Sequence, residues 1–217
     1  MPQFYCKEEN YYLSTNSKVM WSTLKNQNNL KKIQNANFAL CKALEPFGVI
    51  RKRKHYLLVR NPYDRLESFF RDKLRKHAVP NRGWQRSQRI FFPLLGINKG
   101  TPNDDVKEKL MCLSFDTFIK YLPCLYFKDG HLHPQFWVEN IGHRLFKWTI
   151  TFDKVLKMEQ QEDLAFLANN LKIDLQIRYN YTRDIDIEIN WAEKTREIVN
   201  SIYHLDFIHY NYAQLSK

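Results

Sequence analysis

Short apolar runs alternate with amphipathic segments in the first part of the chain. The run Tyr11–Thr15 favours a strand, and the polar break after it leads into Lys18–Lys25, whose composition is compatible with a helix. A second apolar run, His55–Arg60, also has the length of a strand. It is followed by Asn61, a capping residue, and Pro62, which suits the first position of a helix. Two strand-turn-helix units in succession predict an α/β domain with a largely parallel sheet.

The helix predicted after Pro62 is amphipathic, because its apolar residues recur at helical spacing while charged residues occupy the other faces. The apolar residues are Leu66, Phe69, Phe70 and Leu74, and the charged ones are Arg65, Arg71, Asp72 and Lys73. Parallel α/β sheets bind ligands beyond the carboxyl ends of their strands. Arg60 therefore stands at the predicted binding edge.

The rest of the pattern predicts further helices and one more strand. The helices are residues 36–44, residues 115–122 with Ser114 as the cap, and residues 163–171. The strand is either 148–152 or 154–158. A closing helix starts with the capping-box spacing of Asn190 and Glu193. Its predicted inward residues are Ile198, Ile202 and Leu205.

The length of 217 residues predicts one globular domain over residues 1–217. Within it, segment 78–105 holds three prolines and three glycines, which predicts an irregular excursion that acts as a lid or an acceptor loop. No stretch approaches the roughly 20 apolar residues of a membrane helix, and no secretory signal is visible, so we expect a cytoplasmic protein. Four separated cysteines without metal-ligand spacing predict reduced, mostly buried thiols.

The glycines and the charge narrow the classes of ligand. None of the six glycines forms a GxGxxG or GxxxxGK pattern, which excludes the phosphate cradles of ordinary kinases, GTPases and dehydrogenases. The 34 basic and 23 acidic residues give a formal charge of +11, which predicts an anionic partner. Charge alone leaves a nucleotide, an acidic polysaccharide, a nucleic acid and a lipid surface as alternatives.

Two positions after predicted strands suit an anion. The segment Asn16–Thr23 combines a helix start, a lysine and hydroxyl groups. Arg60 ends a predicted strand and Ser68 lies two helical turns further on, so both side chains can face one phosphate. Each segment also has an explanation without a ligand. The first can be a capped helix with an exposed lysine, and the second can be an amphipathic helix with solvated arginines.

The segment that begins at Arg60 resembles the 3′-phosphate motif of the carbohydrate sulfotransferases. Its sequence over residues 60–73 is RNPYDRLESFFRDK, against R-D/N-P-F/Y-x-R-L-x-S-x-F/Y-R-D/N-K in that family. Residues 17–25, SKVMWSTLK, are similar to the family's 5′-phosphosulfate loop, P-K-V/T-A/G-C/S-S/T-x-W/I/L-K. Ser17 stands where the family has proline, and Trp21 stands where a small residue is common.

Three further segments follow the family's order, so the resemblance spans residues 11–212. They are HLHPQ at 131–135, similar to H-W-x-P-Q, FDKVLKME at 152–159 with the helix start at 163–164, and YHLDF at 203–207, similar to Y-x-x-D-F. The resemblance implies a P-loop-like α/β fold with a central, mostly parallel sheet flanked by helices. It also implies transfer of the sulfuryl group of 3′-phosphoadenosine-5′-phosphosulfate (PAPS) to a sugar hydroxyl, leaving adenosine 3′,5′-bisphosphate (PAP), without a metal.

The resemblance assigns roles by position. The implied cofactor loop is Ser17, Lys18, Val19, Met20, Trp21, Ser22 and Thr23, with the phosphosulfate held by Lys18 and the Ser22 and Thr23 hydroxyls. Arg60 and Ser68 hold the 3′-phosphate. Lys18 is also the expected catalytic clamp on the leaving phosphate, and His131 is the candidate base. His133 or a carboxylate is the alternative base, and a metal site at the two histidines lacks a third ligand.

The remaining positive charge favours an anionic carbohydrate as the acceptor, with peripheral membrane contact if the acceptor is a glycolipid. The basic residues that form the expected acceptor wall are Arg51, Lys52, Arg53, Lys54, Arg75, Lys76, Arg82, Arg86 and Arg89. With Trp84 and Phe91, the same residues suit single-stranded nucleic acid. The alternative is therefore a noncatalytic binder of nucleic acid or acidic glycan on a degenerate version of the fold. The sulfotransferase hypothesis predicts that the protein has no nucleic-acid partner.

The absence of a visible anchor favours a bacterial cytosolic enzyme over the Golgi enzymes that eukaryotic relatives typically are. An excised catalytic domain of a Golgi enzyme has the same appearance. The sequon at 180–182 is too common a tripeptide to decide between them.

Overall fold

The computed structural model describes residues 3–48, 52–76, 78, 83–138, 151–176, 187 and 189–215. Its contacts divide the chain into two compact units. The first is Met1–Asn61 with Gln135–Tyr179, and the second is Pro62–Pro134 with Asn180–Lys217.

A five-stranded sheet lies in the described part of the first unit. Its strands are β1 (Gln3–Cys6), β2 (Tyr11–Thr15), β3 (Lys31–Ile33), β4 (Lys54–Val59) and β5 (Lys154–Lys157), in the order β3-β1-β2-β4-β5. β4 is parallel to both β2 and β5, while β1 is antiparallel to both β2 and β3. All strands except β1 therefore run in one direction, which confirms the predicted mostly parallel sheet.

The helices confirm most of the elements predicted from periodicity. They are α1 (Trp21–Lys25), α2 (Asn35–Leu44), α3 (Pro62–Arg71), α4 (Arg86–Arg89), α5 (Asn103–Cys112), α6 (Phe115–Leu125), α7 (Gln161–Asn169), α8 (Glu193–Ile202) and α9 (His204–His209). Short 3-10 segments are Glu45–Phe47, Phe92–Leu95 and Gln135–Val138, and a π-helical turn, Asp72–Lys76, extends α3. The alternative strand at 148–152 lies mostly outside the described residues.

Apolar side chains cover both faces of the sheet, because successive strand residues alternate between them. On one face, Leu13 packs in a cluster with Leu24 of α1 and Leu167 of α7. On the other face, Tyr12 lies edge-on to Phe38 of α2, with ring centroids 5.2 Å apart. Residues 55–59 are all buried, as expected of a central parallel strand.

An aromatic core holds the helices of the second unit together. The predicted apolar face of α3 is buried, and Phe118 of α6 lies 5.7 Å from Phe69 and 5.5 Å from Phe70 between ring centroids. Ser114 caps α6 as predicted, since its hydroxyl accepts a hydrogen bond from the Thr117 backbone N–H at 3.1 Å.

The closing helix differs from its prediction. α8 begins at Glu193, with Ala192 at the cap position and no side-chain cap bond, so Asn190 does not cap it. Leu205 is 43% exposed, because α8 ends at Ile202 and a turn at Tyr203 separates it from α9. The residues that turn inward are Val199, Tyr203 and Phe207, with Ile198 and Ile202 only partly buried.

Other expectations about burial were also wrong. Arg65 is 1% exposed instead of lying on a charged outer face. Cys112 and Cys124 are exposed, and only Cys6 is fully buried. Segment 78–105 is less irregular than predicted, because it contains α4, a 3-10 segment and the start of α5, and it buries Phe91 in the core. Its role as a lid or acceptor loop stays a prediction, as does the single domain over residues 1–217.

Candidate functional site

Three loops follow neighbouring parallel strands at one edge of the first unit's sheet. The register pairs Thr15 at the end of β2 with Leu58 of β4, and Val59 at the end of β4 with Lys157 of β5. Residues 16–20, 60–61 and 158–160 therefore start at the same edge, the one at which parallel sheets bind ligands. Five of the predicted site residues lie in these loops: Ser17, Lys18, Val19 and Met20 after β2, and Arg60 after β4.

The loop after β2 turns tightly without a glycine. Lys18 and Met20 have φ values of 71° and 50°, in the left-handed region that residues with a side chain seldom enter. The Thr15 hydroxyl donates to the Val19 carbonyl at 2.9 Å, and the Val19 N–H donates to the Asn16 carbonyl at 3.2 Å. Backbone strain of this kind, about 1–3 kcal/mol per residue, is concentrated at functional sites in proteins.

The side chains of this loop differ in burial. Val19 and Thr23 are buried, whereas Ser17, Lys18, Met20, Trp21 and Ser22 are half-buried. α1 begins only at Trp21, so Lys18 precedes the helix. The Trp21 ring packs on Phe4 with centroids 5.3 Å apart, and the Lys32 ammonium lies 5.1 Å from its centroid. Trp21, which stands where a small residue is common in the family, is therefore used for packing against Phe4 and Lys32.

The backbone of Arg60 is held from two sides. The fully buried Gln135 side chain accepts from the Arg60 N–H at 2.9 Å and donates to the Arg60 carbonyl at 2.7 Å. The next N–H, of Asn61, donates to a carboxylate oxygen of Glu159 at 2.7 Å. The Arg60 guanidinium donates through Nη1 to the Lys18 carbonyl at 3.3 Å. This contact joins the two segments that the sequence predicted to bind one cofactor.

The remaining predicted residues lie in the second unit. Ser68 is half-buried on α3, and His131 and His133 lie in the loop after α6. The structure thus brings Lys18 and Arg60 together in the first unit, while Ser68, His131 and His133 belong to the second.

His131 is paired with a buried carboxylate. Its Nδ1 lies 2.6 Å from Oδ1 of Asp129, and its backbone N–H donates to the same oxygen at 2.7 Å. The Ser87 hydroxyl donates to Oδ2 of Asp129 at 2.8 Å. Burial alone raises the pKa of the Asp129 carboxyl, but the hydrogen bonds from His131 and Ser87 outweigh it and hold that pKa well below its usual range.

His133 is bound to the scaffold of the loop. Its Nε2 donates to the Phe127 carbonyl at 3.2 Å, its carbonyl accepts from Nη2 of Arg65 at 2.7 Å, and burial lowers its pKa. The Arg65 guanidinium lies 5.3 Å from the centroid of Tyr203, whose hydroxyl donates to the Leu132 carbonyl at 2.7 Å. Arg65 lies in segment 60–73 and Tyr203 in segment 203–207, both of which resemble family motifs. Together they hold the loop that carries His131 and His133.

Three residues of the site were not assigned a role from the sequence. Gln135 ends the HLHPQ segment, and its clamp on Arg60 is visible only in the fold. Asp129 stands two residues before His131, a spacing typical of a side-chain turn that is a local signal. Ser87 is 42 positions from Asp129, so no local pattern connects them.

The basic residues of the expected acceptor wall have mixed surroundings. Arg75 lies 4.3 Å from the Phe70 ring centroid and donates to the Leu110 carbonyl at 3.0 Å, so it caps α5. Arg53 lies over the rings of Tyr5 and Tyr12, at 4.8 and 5.4 Å. The exposed members are Lys52, Lys54, Lys76, Arg86 and Arg89.

The expected nucleic-acid surface loses one aromatic residue. Phe91 is fully buried, so the expectation that it stacks on a base was wrong. Trp84 is half-buried, and its Nε1 donates to Asn103 at 3.0 Å. Arg51, Arg82 and the sequon at 180–182 lie outside the described residues.

Comparison with known proteins gives one match. The model of the Sulfotransferase family matches residues 3–213, nearly the whole chain. No curated protein and no solved structure matches the chain. None of the helices in the described part is long and apolar enough to cross a membrane. Among the same residues, no group of three or more His, Cys, Asp or Glu side chains is placed to hold a metal ion.

Proposed function

The chain belongs to the sulfotransferase family, and on that premise we propose that it transfers the sulfuryl group of PAPS to a carbohydrate hydroxyl. The observation that carries the proposal is the hydrogen bond from the Arg60 guanidinium to the Lys18 carbonyl. The 3′- and 5′-phosphates of PAPS sit on one ribose, so the segments that bind them must lie close together. Arg60 and the loop of Lys18 meet that requirement.

The residues of the first unit suit an anionic nucleotide. Lys18 and Arg60 supply positive charge, and Ser17 and Ser22 supply half-buried hydroxyl groups. The Asn16 side chain, 1% exposed at the start of the loop, has no hydrogen-bond partner in the described part of the chain. Leaving such a buried group unsatisfied costs about 1–3 kcal/mol, which a polar ligand at this edge would offset.

PAPS, when bound, supplies a sulfuryl group whose sulfur bonds to the acceptor oxygen as its bond to the 5′-phosphate oxygen breaks, the electron pair staying on that phosphate. Lys18 stabilises the negative charge that develops there, because a fixed cation needs no reorganisation at that moment. Ser22 and Thr23 donate hydrogen bonds to the 5′-phosphosulfate. Arg60 and Ser68 orient the 3′-phosphate. His131 takes the proton of the acceptor hydroxyl, a contribution of about 10²- to 10⁴-fold.

The proposed acceptor is a carbohydrate, because the segments at residues 17–25 and 60–73 resemble those of carbohydrate sulfotransferases. An anionic sugar suits the charge of +11, of which Lys18 and Arg60 account for only a part.

Calorimetry with PAP tests the cofactor proposal. We expect submillimolar binding by the wild type and loss of most of that binding in Arg60→Ala, with an unchanged circular dichroism spectrum. The matched control is Arg89→Ala, which removes the same charge from an exposed position of α4 and should bind PAP normally. Wild-type affinity in Arg60→Ala refutes the role of Arg60, and a folded wild type without PAP binding refutes the cofactor. PAP binding without transfer across a broad acceptor screen favours the noncatalytic alternative.

A further inference from the structure

The hydrogen bonds of Asp129 concern the catalytic ring directly. Asp129 is 4% exposed, and both of its carboxylate oxygens are engaged, Oδ1 by His131 and Oδ2 by Ser87. The contact to the ring, 2.6 Å between Oδ1 and Nδ1, is the shortest of the three. A carboxylate so placed fixes both the plane of the imidazole and its pattern of protons.

The proton pattern follows from elementary hydrogen-bond chemistry. An ionised carboxylate accepts hydrogen bonds and donates none, so Nδ1 of His131 must carry the proton. In the neutral ring the lone pair then lies on Nε2. Nε2 has no hydrogen-bond partner in the described part of the chain, and the His131 side chain is 33% exposed. The nitrogen that can accept a proton is therefore the one left available.

We propose that Asp129 is a positioning residue of the sulfuryl transfer, holding His131 in the Nδ1–H tautomer so that Nε2 accepts the proton of the acceptor hydroxyl. This inference rests on the proposed function. As the hydroxyl oxygen bonds to sulfur, its proton passes to Nε2, and the Asp129 carboxylate stabilises the positive imidazolium that results. Ser87 fixes the second carboxylate oxygen and so holds the carboxylate in line with the ring.

The neighbouring histidine does not share this arrangement. Nε2 of His133 is the nitrogen that donates to the Phe127 carbonyl, so it cannot accept a proton without losing that bond. The Asp129 carboxylate, Ser87 and an available Nε2 come together only at His131 among the two histidines of the loop.

Asp129 also shapes the turn, because its backbone carbonyl accepts from the Leu132 N–H at 2.9 Å and its side chain accepts from the His131 N–H. Two substitutions separate the turn from the ring. In Asp129→Asn the amide oxygen can accept the same two hydrogen bonds from His131, which preserves turn and tautomer but removes the charge. In Asp129→Ala the ring loses its carboxylate acceptor, and the Ser87 hydroxyl, whose Oγ lies 3.3 Å from Nδ1, remains as a neutral partner that can also donate to that nitrogen.

The test combines nitrogen-15 NMR of the histidine rings with turnover of PAPS on unsulfated chondroitin oligosaccharides. The His131 signal is assigned by its loss in His131→Ala. We expect the Nδ1–H tautomer in the wild type and in Asp129→Asn, and a shift towards Nε2–H in Asp129→Ala. We expect kcat to fall about tenfold in Asp129→Asn, because a charged hydrogen bond is about twice as strong as a neutral one, and about 100-fold in Asp129→Ala. PAP affinity should stay unchanged in both.

The control is Asp116→Asn, which removes a carboxylate paired with Lys120 at 2.6 Å on the surface of α6 and should alter neither tautomer nor kcat. A wild-type ring in the Nε2–H form overturns the proposal, as does a wild-type kcat in both Asp129 variants. If Asp129→Ala does not fold, the wild-type tautomer and the kcat of Asp129→Asn decide. If the wild type transfers no sulfuryl group to chondroitin or to any other acceptor of a broad screen, the proposed function fails, and the tautomer in Asp129→Ala still supports or overturns the positioning of the His131 ring.

Discussion

The first unit holds the backbone of Arg60 in place, whereas the second unit holds the imidazole ring of His131 in place. Gln135 binds the N–H and the carbonyl of Arg60 and leaves the long guanidinium arm to reach the loop of Lys18. In the second unit, Asp129 binds the imidazole of His131 itself. A residue that neutralises an anion needs only to start from the right place, while a residue that moves a proton must present one particular nitrogen.

The two arrangements should therefore fail in different ways. Damage to the first should weaken nucleotide binding together with the fold around Arg60. Damage to the second should remove turnover and leave nucleotide binding intact. The largest expected effect belongs to the second unit.

His131→Ala should lower kcat by about 10²- to 10⁴-fold, the usual contribution of a general base, with PAP affinity at the wild-type value. The measurement is steady-state turnover of PAPS beside calorimetry with PAP. The matched control is His133→Gln, whose amide can still donate to the Phe127 carbonyl and which should keep most of the turnover. An undiminished rate in His131→Ala rejects the base, and an equal loss in both variants shifts the role to the loop as a whole.

Gln135→Leu should break the backbone clamp at nearly constant side-chain volume. The Arg60 N–H and carbonyl would lose their partner, and because Arg60 is half-buried the cost for each group is at most about 1–3 kcal/mol. We expect PAP affinity to fall at least about tenfold, since 1.4 kcal/mol is one factor of ten, and the protein to unfold at lower urea concentration.

Gln88→Leu is the matched control for this clamp. Gln88 is also fully buried, accepts from the Gln85 N–H at 2.8 Å and donates to the Lys73 carbonyl at 3.0 Å, but it belongs to the second unit. It should lower stability without lowering PAP affinity. If both variants bind PAP normally, the clamp stabilises the fold and has no part in binding.

Local signals account for what the sequence predicted. The buried run of β4 and the Asn61-Pro62 start of α3 are contiguous, so periodicity and capping chemistry were sufficient to find them. The sequence prediction missed both β1 and β3. β3 is a three-residue edge strand with two exposed lysines, and the pairing of β3 with β1 joins residues that lie far apart along the chain. Leu205 was assigned inward on the assumption of one continuous helix, which the turn at Tyr203 interrupts.

The site follows the same division. Lys18, Arg60 and His131 could be proposed from the sequence because each lies inside a segment whose local order resembles a family motif. Ser87 and Gln135 act on residues 42 and 75 positions away, through contacts that only the fold creates. The residues that hold the proposed site residues in place are thus harder to predict than the proposed site residues themselves.

The smallest expected effect on activity belongs to His55 of the first unit, whose protonation makes stability depend on pH. His55 is buried beside Phe38 and Phe152, and burial, with the charge of Lys42, lowers its pKa to about 3. The unfolded chain takes up a proton near the ordinary histidine pKa of about 6.5, so the folded state loses stability as pH falls from about 6.5 towards 3, by at most about 1.4 kcal/mol per pH unit. Urea unfolding between pH 7.5 and 4.5 measures this slope. His55→Gln, which can still donate to the Ser14 hydroxyl, should flatten it. Burial also lowers the pKa of His133, which lowers the stability of the second unit as pH falls. Hydrogen exchange resolved by segment distinguishes the two histidines, and we expect β2 and β4 of the first unit to lose protection first. An unchanged slope in His55→Gln, or earlier loss in α3 and α6, contradicts the assignment of the acid-sensitive group to the first unit.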